Sequence, residues 1–276
     1  QLNIGDMVAT GETEFTVEGW IKPESLPSGT TYFIGEGGAF RIGTQDDGDL
    51  YSKIIGDDSG GSDTTDGVLA SANIAAGNWY HIASSWDGNN TTMTLYINGE
   101  QIAQDTAIDV VEFNSINNDA GTICSGYDGH SNFWDGIVDE FRIYKRALSQ
   151  NEILGNYRAG NVELQTRVGA DTSPNDGSWE AWKPTTNETQ IENFDEQYLY
   201  KTSTTGLISY WPMNESQDNT CSGGEDVCDV AGTNHGTDSG GSSISYTSIH
   251  QNARKCHGND DYITISDSIR KDKTAD

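Results

Sequence analysis

Phe15-Thr16-Val17-Glu18-Gly19-Trp20-Ile21 alternates apolar side chains at a period of two and stops at Pro23. That is the pattern of a strand with one face on a core, since successive side chains of extended backbone point to opposite sides. The same texture continues outward. Trp79 to Trp86 reads as a strand ended by the turn Asp87-Gly88-Asn89-Asn90. Met93-Thr94-Leu95-Tyr96-Ile97 meets Asn98-Gly99, and Glu100-Gln101-Ile102-Ala103 follows. Asn-Gly between apolar runs predicts a hairpin, because both turn residues need positive φ. Ile137 to Tyr144 is a further strand. One short helix is expected where Ser149 and Glu152 form a capping box, with Ile153, Leu154 and Tyr157 as its apolar face and Gly160 as its end. Many strands joined by Gly, Asn and Asp turns predict an all-β sandwich or jelly roll.

Composition bounds the function. The 276 residues are 34% hydrophobic with 32 glycines, a low-normal globular content. Fifteen Lys and Arg stand against 43 Asp and Glu, a net charge of −28, which repels phosphate backbones and anionic membranes. Nucleic-acid binding and membrane insertion are therefore not expected. The chain begins at Gln1, which reads as a mature, processed or fragmentary chain. Cys124, Cys221, Cys228 and Cys256 form no C-x-x-C, so they read as disulfides in an oxidising, extracellular or cell-surface setting. Cys221 and Cys228 bracket a short loop and are expected to bond each other, which leaves Cys124 for Cys256.

Residues 13–160 resemble the laminin G-like, concanavalin A-like jelly rolls of bacterial and archaeal surface proteins. The resemblance is carried by Phe15–Ile21, Gly77-Asn78-Trp79-Tyr80-His81, Leu95-Tyr96-Ile97-Asn98-Gly99, Phe133–Tyr144 and the trailing Ala147-Leu148-Ser149. Members of that family open with a Gly-Leu-Val-x-Tyr-Trp strand, an Asp…Asn-His-Gly loop and an Asp-Asp-Tyr strand. Here those parts stand at the other end: Gly206–Trp211, Asp229–Gly236 and Asp260–Ile265. Leu2–Val8 also matches Ile263–Ile269 in pattern, at a separation of 261 positions. The expected organisation is a laminin G-like jelly roll over 1–160 lacking its first strands, a small β linker module over 161–205, and over 206–276 the opening strands of the next sandwich. These would complete a neighbouring copy or the next repeat. Closure within one chain is the competing arrangement.

The resemblance implies a structural calcium between the strand holding Asp139 and the Asp…Asn-His-Gly loop, which would give Asp139, Asp229 and Asn234 as ligands. Asp139 alternates in phase with Ile137, Phe141 and Ile143, which predicts a core-facing carboxylate in need of a cation or several donors. The acidic loops Asp46–Asp49 and Asp57–Asp63 lack calcium-loop spacing and read as solvated turns. No Glu-x-Asp-x-x-Glu strand of the glycosidase kind is present, and no Ser or Cys hydrolase motif accompanies the five His. The expectation is a non-catalytic extracellular unit of a tandem-repeat surface protein or fibre, held by calcium and disulfides and joined to copies of itself. The alternative is a carbohydrate-binding adhesin module, with Tyr127, Trp134 and Trp179 as candidate sugar contacts because they lie near turn sequence.

Overall fold

The computed structural model describes residues 11–26, 29–36, 39–45, 48–113, 121–125, 132–159, 165–166, 183–184, 204–249, 252–258 and 260–265. Phe15–Ile21 lies in β1 (Glu14–Pro23), which sits at the centre of the first sheet. On one side β1 pairs antiparallel with β6 (Tyr80–Asp87), then come β7 (Thr92–Ile97) and β8 (Glu100–Asp105). The Asn98-Gly99 hairpin is formed as expected, with φ of 52° and 78° at its two residues. On the other side β1 pairs with β10 (Asp135–Tyr144).

The second sheet is built from the part of the chain with the weakest strand signal. It runs through β9 (Gly121–Ile123), β2 (Thr31–Glu36), β3 (Phe40–Gln45), β4 (Asp49–Asp57) and β5 (Asp63–Ala70), each antiparallel to the next. Of the acidic stretches read as loops, Asp57–Asp63 contains the turn between β4 and β5, where Asp58 Oδ1 accepts the amides of Gly60 and Ser62. Phe15, Val17 and Ile21 of β1 meet Phe33, Phe40, Ile42, Leu50 and Ile54 of the second sheet in one buried core between the layers.

Helix α1 (Gln150–Ala159) lies on the outer side of the first sheet. Ser149 N–H donates to Glu152 Oε2 at 3.0 Å, which is the expected capping box. Ile153 joins Ala83, Tyr96, Tyr144 and Leu148 in a small second cluster.

The C-terminal third corrects the expected assembly. β13 (Leu207–Trp211) pairs with the Phe141–Tyr144 half of β10, and β16 (Ala253–His257) pairs with its Asp135–Val138 half. β15 (Ser243–Ser245) lies outside β16. In the second sheet β17 (Tyr262–Ile265) pairs with β9, and β14 (Gly236–Ser239) closes that edge. The strands expected to complete a neighbouring copy therefore complete the sandwich of their own chain, in permuted order. The physical reason is proximity: a strand tethered to its own sheet edge competes at a far higher effective concentration than one from another molecule. Trp211, Met213, Ile263 and Ile265 are all in the shared core, and burial of each such side chain is worth roughly 1.5–3 kcal/mol.

Of the expected linker module, β11 (Gln165–Thr166) and β12 (Lys183–Pro184) pair as a two-stranded ladder. The rest of that module up to residue 203 lies outside the described residues, as does Leu2–Val8.

Candidate functional site

The residues expected to hold calcium are each engaged in hydrogen bonds with the main chain or with neighbouring side chains. A β-bulge at Glu140, whose φ is 55°, shifts the phase of β10. Val138, Phe141 and Ile143 face the core, while Asp139 pairs with Trp20 on the side that carries α1. Asp139 is fully buried there and accepts the Ile249 N–H at 2.9 Å. Asp229 is saturated by main-chain donors: Oδ1 accepts the amides of Tyr210, Ala231 and Gly232 at 2.9–3.0 Å, and Oδ2 that of Asn234 at 3.1 Å. Asn234 in turn donates from Nδ2 to Ser209 Oγ at 2.6 Å and accepts Trp211 Nε1 on its carbonyl at 2.7 Å. N–H dipoles aimed at a carboxylate replace a cation and would repel one. Asp229 and Asn234 thus fix the loop beside β13, and their chemistry does not fit a calcium ion. Among the described residues the only close grouping of potential metal ligands is Glu215 with Cys221 and Cys228. Those two sulfurs are bonded to each other.

Both disulfides have the expected pairing. Cys221–Cys228 closes a separation of 7 residues, and Cys124–Cys256 one of 132. The second is intrachain, not a link between units. It ties the residue after β9 to β16, and so joins the two sheets as well as the N- and C-terminal parts of the sandwich.

Of the expected sugar contacts, Tyr127 and Trp179 lie outside the described residues. Trp134 is fully buried and packs edge-on against Phe33 at 4.4 Å between centroids, so it is a core residue and not a surface contact. Turn-like neighbours suggested exposure, but its amide donates to the Cys124 carbonyl and draws the ring inward.

A buried polar cluster lies between the first sheet and α1. Glu18 Oε1 accepts Asn156 Nδ2 at 2.7 Å and the Tyr144 hydroxyl at 3.2 Å. Arg142 pairs with Glu140 at 2.6 Å and stacks over the Tyr210 ring at 4.2 Å, and the Tyr210 hydroxyl donates to Glu140. Burial pushes Glu18 up to about 7 against the opposing pull of Arg142, Tyr144 and Asn156, and burial together with Arg142 drives His81 down to about 3. Perturbed carboxyls mark catalytic sites when they border a cleft. Glu18 and His81 are fully buried, and Glu140 and Arg142 nearly so, which leaves no access for substrate. The cluster instead fastens α1 and the permuted strand β13 onto β1 and β10.

The outer face of the second sheet is different in kind. Tyr32, Gly43, Tyr51 and Leu69 stand in one line across β2, β3, β4 and β5. The next line along the strands is Gly35, Arg41, Lys53 and Gly67. The strands alternate, with Leu50 and Ile54 in the core and Tyr51 and Lys53 on the outside, partly exposed. Gly43 is required by close approach, since a Cβ there would lie 1.8 Å from the Thr31 carbonyl oxygen. Tyr32 and Tyr51 flank it on the neighbouring strands, about two strand spacings apart, roughly 9–10 Å, and Tyr32 is largely buried. Arg41 leans over Tyr32, its guanidinium carbon 5.9 Å from the ring centroid, and Leu69 is 51% exposed beside Tyr51. Aromatic faces beside fixed donors are what a sugar site uses. Sequence reasoning missed these residues, although the alternation Leu50-Ser52-Ile54 against Tyr51-Lys53 carries the signal.

A family model described as the concanavalin A-like lectin/glucanases superfamily matches residues 1–154, more than half of the chain. The chain belongs to this superfamily. Comparison with curated protein sequences finds no match. Among solved structures, a candidate carbohydrate binding protein from Bacteroides ovatus is similar at a TM-score of 0.53 and 17% identity, over 96% of this chain and 57% of that one. The chain thus spans little more than half the length of that protein. The IT-sialidase CBM40 of Ruminococcus gnavus, bound to α2,3-sialyllactose, is similar at a TM-score of 0.40 and 15% identity over 53% of this chain and 84% of that one. Domain 4 of an extracellular arabinanase from Geobacillus stearothermophilus, in complex with arabinotriose, is similar at 0.40 and 24% over 54% and 67%. The superfamily fold accommodates the permuted strands: the first 154 residues match its model, and residues 204–265 supply the remaining edges of the same two sheets.

Proposed function

We propose that this chain is a non-catalytic carbohydrate-binding module that works outside the cell. The observation that carries the reading is the Tyr32-Gly43-Tyr51-Leu69 line on the outer face of the second sheet, with Arg41 and Lys53 beside it. A pyranose ring offers an apolar face to an aromatic side chain and hydroxyls to neighbouring donors, and Tyr51 and Lys53, partly exposed on one rigid strand, supply both. The superfamily and the Bacteroides ovatus likeness favour the same reading at the level of fold. Two disulfides favour an oxidising compartment, and among the described residues no helix is long and apolar enough to cross a membrane. The shielding of the Glu18–Glu140 cluster under α1 speaks against hydrolysis there, because an acid that water and substrate cannot reach does no turnover.

A glycan array probed with the whole chain, followed by titration calorimetry on the hits, tests the reading. Tyr51→Ala should abolish the hits while leaving the melting temperature within a few degrees. Hits that survive both Tyr51→Ala and Tyr32→Ala would place the site elsewhere, and an array with no hit would sink the carbohydrate reading.

A further inference from the structure

Glu215, a few residues beyond β13, is a buried acid that the sugar face does not use. It is 9% exposed. Its Oε1 accepts the Cys228 N–H at 2.9 Å, while its Oε2 is buried with no hydrogen-bond partner among the described residues. A carboxylate oxygen taken out of water with no donor is costly, and an orphan of this kind in a folded chain points to an ion or a redox role. One oxygen of this carboxylate and the sulfurs of Cys221 and Cys228 all lie within 4.8 Å of one another. A disulfide has no proton to donate to the acid. The bond is also placed to open without loss of the fold. It closes a separation of only 7 residues and so restricts the unfolded chain little, whereas Cys124–Cys256 closes 132. Cys228 is partly exposed, while Cys124 and Cys256 are fully buried. Main-chain bonds hold the loop as well: Cys221 N–H donates to the Glu225 carbonyl at 3.1 Å, and Gly224 N–H to the Cys221 carbonyl at 2.9 Å.

We propose that Glu215, Cys221 and Cys228 form a zinc site that is created when the Cys221–Cys228 bond is reduced. A thiol reductant supplies two electrons and two protons: two RSH become RSSR, and the protein disulfide becomes two thiols. Zinc then displaces the two thiol protons and bonds both sulfurs and one oxygen of Glu215, with water in the fourth position. The dimensions fit. Bonds of about 2.3 Å to sulfur and about 2.1 Å to oxygen put tetrahedral donors roughly 3.5–3.8 Å apart, inside the observed grouping. The two Cα atoms are 5.3 Å apart, so side-chain rotation separates the sulfurs with the main chain in place. The donors select the ion: two thiolates and a carboxylate suit borderline-soft zinc, whereas calcium and magnesium take oxygen. The net charge of −28 draws cations to the surface. Bond and ion exclude each other, so the oxidised chain has no site and the reduced chain has one.

The test treats the whole chain with a phosphine reductant and maps the thiols by alkylation. Cys221 and Cys228 should be free, with Cys124 and Cys256 still bonded and the circular dichroism unchanged. Calorimetry with zinc alone should then give one ion per chain. Cobalt(II) alone should give a thiolate-to-metal charge-transfer absorption, which a site built from carboxylates lacks, and the oxidised chain should not show it. Glu215→Gln keeps an oxygen for the Cys228 amide and should bind zinc at least about tenfold more weakly, since even a residue that only orients a metal ligand is worth about 10–100-fold. Cys221→Ser and Cys228→Ser should each remove the cobalt absorption from a chain that stays folded. Zinc binding of equal strength before and after reduction would mark an adventitious surface ion and overturn the proposal, as would a cobalt absorption that survives Cys221→Ser. Unchanged affinity in Glu215→Gln would overturn the three-ligand site. A Cys221–Cys228 bond that opens only when the chain unfolds would overturn the redox control. None of these outcomes touches the carbohydrate reading, which the glycan array decides separately.

Discussion

Breaking Cys124–Cys256 should cost far more stability than breaking Cys221–Cys228. The two bonds close separations of 132 and 7 residues. On the chain-entropy model these loops restrict the unfolded state by about 5 and about 2.4 kcal/mol respectively. The larger figure rivals the whole stability of many domains, roughly 5–15 kcal/mol. It also has a topological meaning, because the bond joins the strand block before residue 160 to the permuted block after residue 204. Guanidinium unfolding of Cys124→Ala/Cys256→Ala and of Cys221→Ala/Cys228→Ala gives the comparison. The first variant should show a much lower midpoint and a larger dependence on denaturant, since its unfolded chain is released over a longer loop. Cys124 and Cys256 are fully buried, so each truncation adds a cavity cost of about 1 kcal/mol. Reducing the parent protein without mutation controls for that term. Equal losses for the two pairs would refute the reasoning, as would disulfide-linked dimers on a non-reducing gel, which would mean that Cys124 and Cys256 come from different copies.

Two further outcomes follow from the buried groups. Glu18 is raised from 4.5 to about 7 on folding, so in that window the folded chain holds a proton the unfolded chain has lost. Its contribution is complete below pH 4.5 and is lost as pH rises through 7, by about 3 kcal/mol. Glu18→Gln removes this loss, so the stability of the variant relative to the parent should rise by about that much between pH 4 and pH 8. Neutral His81 works in the opposite direction below pH 6.5, and parallel pH curves for the two proteins between pH 6.5 and pH 8 would refute the assignment. Asp229→Ala should cost roughly 2–4 kcal/mol by orphaning four main-chain amides, and excess calcium should not restore it. Recovery of the parent melting temperature on adding calcium would show that the carboxylate holds a cation after all.

The sequence by itself determined the strands β1, β6, β7, β8 and β10 of the first sheet, the helix and the disulfide pairing. Phe15–Ile21, the Asn98-Gly99 turn and the Ser149–Glu152 box are local signals, each set by neighbours within a few positions, and each reappears where it was expected. The second sheet was less legible because its strands are short, polar on their outer side and separated by acidic turns. The alternation in Asp49–Asp57 is present but broken by Ser52 on the apolar side and Tyr51 on the polar side. Two questions belonged to the tertiary structure alone. One was the direction of Asp139: strict alternation sends it to the core, but the extra residue of the bulge at Glu140 moves it to the helix side, and a bulge leaves no mark in a period-two pattern. The other was the partner of the C-terminal strands. Leu207–Trp211 and Tyr262–Ile265 carry the same apolar pattern whether they complete this sandwich or a neighbour's. Pattern specifies which face of a strand is buried, and only the course of the chain in space decides whose edge it reaches: here the edges of β10 and β9 in the same molecule.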